Sequence, residues 1–265
     1  MTERTDGDII KRKEYPSPNP HVRLEEVTYW SDGLQVKGLL ATPTAEGRYD
    51  GLLYLRGGIQ HVGMVRPARI AQFASHGLVV FAPYYRGNRG GEGKDEFAGE
   101  DRNDAVAGVE VLKQQASVDS ERIHLFSFSR GGIMALWTAI LREDLTSMVT
   151  WAGVSDVVFT YKEREDMRRM MKRVIGGTPN NMPDAYRERT ALFRVHDIEI
   201  PTLIIHGTAD TNVSFEQALL LENALRDANK EYETWYLEGF THYIPPEMNR
   251  KLVKEAVDWM KSKSR

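Results

Sequence analysis

Five short, largely apolar runs punctuate this chain: Leu52 to Leu55, Leu78 to Ala82, Ile123 to Phe128, Met148 to Trp151 and Thr202 to His206. Unbroken runs of this length suit strands covered on both faces, the situation of a parallel sheet. Helical stripes separate them, with Ala105, Val109, Leu112 and Ala116 forming one and Ile133, Leu136, Trp137, Ile140 and Leu141 another. Strand and helix in alternation imply an α/β fold.

Before this rhythm starts, Val22 to Trp30 and Leu34 to Ala41 read as strands joined at Ser31-Asp32-Gly33, where Asp-Gly favours a tight hairpin. After it, Glu231 to Leu237 reads as a last strand, and a helix carrying Met248, Leu252, Val253, Ala256 and Met260 closes the chain. The expectation is a mostly parallel eight-stranded sheet with an antiparallel N-terminal hairpin and helices on both faces. Pro67 opens a helix ended at Gly77, and Ser214-Phe215-Glu216-Gln217 has the pattern of a capping box. Residues 1–20, with Pro16, Pro18 and Pro20 at alternate positions, read as an extended linker ahead of a single domain over 21–265. An excursion at about 157–198 interrupts the alternation. Its basic run Lys162 to Arg173 carries Met167, Met170, Met171 and Val174 at helical spacing, which favours a lid helix with an apolar underside over a surface for anionic partners.

Composition removes several chemistries. The chain has no cysteine, so thiol nucleophiles, thiolate metal sites and disulfides are out. A net charge of −3 gives no field to recruit nucleic acid, and no 18-residue apolar run is present to span a bilayer. The N-terminus has no apolar signal core, which points to a cytoplasmic location. No cofactor or metal is called for: a His-Glu-x-x-His pattern is absent, and Gly87 to Lys94 fails the phosphate-loop pattern because Asp95 follows Lys94.

In open α/β sheets ligands bind beyond the carboxyl ends of the strands. Four such ends carry Arg56-Gly57-Gly58, Ser129-Arg130-Gly131-Gly132, His206-Gly207-Thr208-Ala209-Asp210 and Gly239-Phe240-Thr241-His242. Ser129 stands at a strand-to-helix turn between small residues, the nucleophile-elbow arrangement. A serine hydroxyl needs a base and the base needs an orienting acceptor; His242 and Asp210 are the natural candidates, with His61 and His206 the other histidines near that edge and Asp156 the alternative acid.

These stretches, together with Pro83-Tyr84-Tyr85-Arg86-Gly87, Val118-Asp119-Ser120-Glu121-Arg122-Ile123 and Tyr186-Arg187-Glu188-Arg189-Thr190, resemble an α/β-hydrolase, and within it the catalytic domain of the prolyl oligopeptidase family, including acylaminoacyl peptidases and related esterases. The resemblance runs from about Val22 onward. It implies Ser129 as nucleophile, His242 as general acid and base, Asp210 as its orienter, and an oxyanion hole from the backbone N–H groups of Arg130 and Gly58. Two positions depart from the family: Ser127 stands where Gly is usual, and Arg56 where many members have His. Arg56 is expected to bring positive charge near the acyl pocket.

The implied activity is a metal-independent serine hydrolase acting on small carboxylic esters, with short peptides or acylated amino acids as the alternative. A catalytically silent scaffold that only binds is the reading from another class. Too few residues remain for the β-propeller of the large family members, so access should be open. The resemblance is also compatible with homo-oligomers.

Overall fold

Successive residues of β4 (Tyr49–Leu55) belong to two different cores. Leu53 and Leu55 pack with Leu125, Ile204 and the helices α2 (Arg102–Lys113), α3 (Gly131–Leu141) and α7 (Phe215–Asp227). Leu52 and Tyr54 pack with Phe126, Leu203 and the helices α1 (Pro67–Ala74) and α8 (Pro246–Lys263). Side chains alternate across a strand, so a run apolar at every position supplies both layers at once. The computed structural model, which describes residues 4–264, is thus a sheet sandwiched by helices.

Among the described residues the sheet has nine strands rather than eight. Its order is β1-β2-β3-β5-β4-β6-β7-β8-β9, with β5 (Leu78–Pro83), β6 (Val118–Phe128), β7 (Ser147–Trp151), β8 (Thr202–Gly207) and β9 (Tyr232–Leu237) continuing from β4 in parallel. β2 (Val22–Ser31) and β3 (Leu34–Pro43) form the expected hairpin: Ser31 faces Leu34, and Asp32 and Gly33 have φ of 50° and 76°, the two positive angles of a type I′ turn.

The added strand is β1 (Ile9–Tyr15), which pairs antiparallel with β2. Its residues fall in the segment read as a linker, and that reading is corrected here; residues 1–3 of the segment lie outside the described residues. Lys11, Arg12, Lys13 and Glu14 are exposed, as suits an edge strand that presents unpaired backbone to water. The three alternating prolines come after β1 and turn the chain into β2.

The capping-box expectation at Ser214 also fails. Ser214 precedes α7 without a side-chain cap. Gln217 is fully buried and turns instead to the β7–α4 loop, where its Oε1 accepts from the N–H groups of Ser155 and Asp156 at 2.9 and 2.8 Å. Buried N–H groups without a strand partner need an acceptor, and that need outweighs a local cap. Within the excursion lie α4 (Val157–Glu163), α5 (Arg168–Ile175) and α6 (Pro183–Arg187). Met171 enters the core completely, while Met167 and Met170 are half-buried.

Candidate active site

Ser129 links β6 to α3 with φ of 58°, left-handed backbone that costs a non-glycine residue about 1–3 kcal/mol. The surroundings hold it there. Its N–H donates to Trp151 O at 3.1 Å, and its carbonyl accepts from Gly132 and Val154 N–H at 2.9 and 3.0 Å. The two glycines that follow are required by space: a Cβ on Gly131 would sit 2.1 Å from Leu55 O, and one on Gly132 would sit 2.6 Å from Val154 O. Ser127, where the family usually has Gly, is fully buried and its hydroxyl donates to Val149 O at 3.2 Å.

Asp210 and His242 come from the ends of β8 and β9. Their loops are tied together by Ala209 N–H donating to Phe240 O at 3.0 Å and Gly239 N–H to Thr208 Oγ1 at 2.9 Å. Gly207 permits this, since a Cβ there would meet Phe240 O at 2.2 Å. Asp210 Oδ2 lies 2.7 Å from His242 Nδ1, and Asp210 Oδ1 accepts from Asn212 and Val213 N–H at 2.8 and 3.0 Å. Burial pushes the Asp210 carboxyl up, but the His242 hydrogen bond and the Val213 N–H outweigh it and hold the pKa below its ordinary value. The His242 ring packs against Phe128 at 4.8 Å and edge-on to Tyr243 at 5.2 Å.

Ser129 and His242 open onto one cavity of about 690 Å³, which Gly58, Arg130, Met167 and Met170 also line. No hydrogen bond joins the Ser129 hydroxyl to His242 here, a looseness common in the absence of substrate. The other candidates fall elsewhere. Asp156 Oδ1 accepts from Phe159 N–H at 2.9 Å and caps α4. Burial keeps the His206 pKa low, and its Nε2 lies 2.9 Å from Val213 O. His61 is exposed and is not among the residues lining the cavity.

Arg56 borders the same cavity, as expected, but its guanidinium is engaged by protein acceptors. Its guanidinium is buried and donates to Gly57 O at 3.0 Å, Tyr84 O at 2.8 Å and Asp95 Oδ2 at 3.2 Å. This stitches the glycine loop to the end of β5. A planar trans peptide points its C=O and N–H in opposite directions. With Gly57 O turned to the guanidinium, Gly58 N–H is therefore aimed away from it. Neither Gly58 N–H nor Arg130 N–H has a protein acceptor among the described residues.

Asp95, which the motif marks only as the residue that breaks the phosphate-loop pattern, sits between the Arg56 and Arg130 guanidiniums. The sequence signal was the glycine run that mimicked a phosphate loop: positive φ at Gly87, Gly90 and Gly93 folds that loop ahead of Asp95. Burial raises the Asp95 pKa, and Arg130, the Gln60 N–H and Arg56 together more than reverse this, lowering it to about 2. Asp101, 3.6 Å from Arg130 Nη1, finds no donor for either oxygen. There burial, with the Asp95 and Asp104 carboxylates, outweighs the Arg130 attraction and holds the pKa well above the carboxylate range.

The folded protein thus keeps the Asp101 proton to higher pH than the unfolded chain. Stability from the neutral acid is complete below about pH 4, the unfolded value, and is lost as pH rises through the raised native pKa. Asp101→Asn, uncharged throughout, is expected to flatten the decline of Tm from weakly acidic to weakly basic buffer; an undiminished slope would count against this assignment.

Comparison with known proteins agrees with this architecture. Residues 64–265 match the model of the prolyl oligopeptidase family. The chain is 55% identical over 256 residues to a Bacillus subtilis (strain 168) protein named "Uncharacterized peptidase YtmA", covering 96% of this chain and 100% of that one. Among solved structures it resembles an acylaminoacyl peptidase in complex with Z-Gly-Gly-Phe-chloromethyl ketone, with TM-score 0.78 and 20% identity over 91% of this chain and 41% of that one. It also resembles an acetyl xylan esterase from Paenibacillus sp. R4, with TM-score 0.74 and 16% identity over 94% and 87% of the respective chains. At such identities these two likenesses concern the fold alone. The family match reaches from the loop ahead of α1 to the last helix and takes in the serine turn and the ends of β8 and β9, and on that ground the chain belongs to the prolyl oligopeptidase family and is a serine hydrolase.

Proposed function

We propose that the enzyme hydrolyses small carboxylic esters, and short peptides or acylated amino acids more slowly, through an acyl-enzyme on Ser129. The observation that carries this reading is the buried 2.7 Å Asp210–His242 hydrogen bond, with His242 lining the same cavity as Ser129 in its strained turn. Asp210 fixes the proton on His242 Nδ1, which leaves Nε2 as the base that takes the hydroxyl proton. The Ser129 oxygen attacks the carbonyl carbon, and the developing oxyanion is met by the unpartnered N–H groups of Arg130 and Gly58. One such donor is typically worth about 10²–10³ in kcat. His242 then returns the proton to the leaving oxygen or nitrogen as the C–O or C–N bond breaks. Water, deprotonated by the same imidazole, cleaves the acyl-enzyme and releases the acid.

Esters stand first because their leaving oxygen departs with less help from His242 than an amide nitrogen needs. Met167 and Met170 on the cavity wall adapt to acyl groups of different shape. The test is a panel of short-chain esters, longer esters, aminoacyl anilides and small peptides compared by kcat/KM. The expected order places short and medium esters highest; anilides or peptides exceeding them would transfer the main activity to peptide cleavage.

A further inference from the structure

A second cavity of about 400 Å³ adjoins the first across His242, and Tyr54, Arg66, Phe128 and Tyr243 border both. Ser129 lines only the first. The second lies between α1 and the start of α8, and its lining contains two arginines, Arg66 and Arg69, but no aspartate or glutamate.

Arg69 is partly buried. Its guanidinium lies over Phe73, Phe126 and Trp151, with centroid distances of 5.0, 5.7 and 5.5 Å. Nη1 donates to Asn249 Oδ1 at 2.7 Å and to Gln72 Oε1 at 3.1 Å, both uncharged. Among the described residues neither Arg69 nor Arg66 has a carboxylate within salt-bridge distance, whereas the buried Arg56, Arg86 and Arg130 each have at least one. Aromatic stacking accounts for the flat face of the guanidinium and the two amides for one nitrogen, and the neutral Tyr54 hydroxyl stands close to the group as well. None of these neutralises the charge. The edge formed by Nε and Nη2 is the fork that pairs side-on with a carboxylate.

We infer that this cavity is a leaving-group subsite for a carboxylate, so that preferred substrates release an amino acid or hydroxy acid with a free carboxyl group. The inference rests on the serine-hydrolase mechanism proposed for the adjoining cavity. His242 protonates the departing group, which therefore lies on the imidazole side of the scissile bond. A group continuing past His242, away from Ser129, meets the second cavity. Arg66, exposed and bordering both cavities, attracts the anion, and Arg69 receives it.

The test compares 3-acetoxybenzoate with the neutral 3-acetoxybenzamide, using kcat/KM ratios taken within each variant so that differences in the active fraction cancel. In the wild type the anionic ester is expected to be the better substrate. Arg69→Gln should lower the anionic-to-neutral ratio about tenfold, mainly through KM, the scale of a lost hydrogen bond to a charged group. Arg69→Lys, which keeps the charge but not the fork, should restore part of it. Benzoate should inhibit turnover of the neutral ester competitively in the wild type and less so in Arg69→Gln. A ratio unchanged by Arg69→Gln, with fluorophosphonate labelling and neutral-ester turnover intact, overturns the subsite and leaves the hydrolase mechanism standing. Absence of labelling and of neutral-ester turnover in the wild type overturns that mechanism, and the subsite with it.

Discussion

Ser129→Ala is expected to lower kcat/KM for a short-chain ester by about 10⁴-fold or more, the scale on which a serine nucleophile fails. Labelling by a fluorophosphonate should disappear with it. Alanine keeps the Cβ and asks nothing new of the backbone, so the left-handed turn, its bonds to Trp151, Gly132 and Val154, and the close packing of Gly57 beneath it persist. The loss then reports the missing oxygen rather than a collapsed site, and an unchanged Tm would show this directly. Labelling that survives in the alanine variant would remove Ser129 from the proposed mechanism.

Asp210→Asn is expected to cost about 10⁴-fold in kcat, a scale set by the same exchange in a serine protease. Geometry dictates the failure. Two backbone N–H groups, from Asn212 and Val213, donate to Asp210 Oδ1. An asparagine keeps its carbonyl oxygen there and turns its NH₂ toward His242. The imidazole must then accept at Nδ1, its proton moves to Nε2, and no lone pair is left for the Ser129 hydroxyl. Asp156→Asn, which touches only the start of α4, should stay within about tenfold of wild type and lose only part of a helix cap. Assayed together, a deeper loss in Asp156→Asn than in Asp210→Asn would exchange their roles.

Features governed by short-range chemistry were legible in the chain. The Asp32-Gly33 turn, the apolar runs that became strands covered on both faces, and the glycines after Ser129 each follow from backbone sterics or strand period. The same logic brought Ser129, Asp210 and His242 to one edge, because every parallel strand ends there. What stayed hidden depends on partners distant in the chain. Gln217 looked like a helix cap because Ser214 precedes it by three residues, yet it serves two N–H groups some 60 residues away in sequence. Arg56 does border the cavity, but that Asp95 and Tyr84 engage its guanidinium could not be read from the chain. Arg69 carried no signal at all, since an arginine on a helix is ordinary until its surroundings prove to lack an anion.

β1 was hidden for a different reason, and that reason bears on how copies of this protein meet. A sheet that ends in bare backbone can be continued by a strand from a neighbour. Here the outermost strand has the sequence Ile9-Ile10-Lys11-Arg12-Lys13-Glu14-Tyr15, with three consecutive cations exposed. Two such strands brought side by side in antiparallel register about Arg12 would set cation against cation at every central position, and like charges directly opposite repel. The polar composition that made this segment look like a tether thus works as a terminator: it lets the sheet gain a ninth strand from its own chain and discourages a tenth from another.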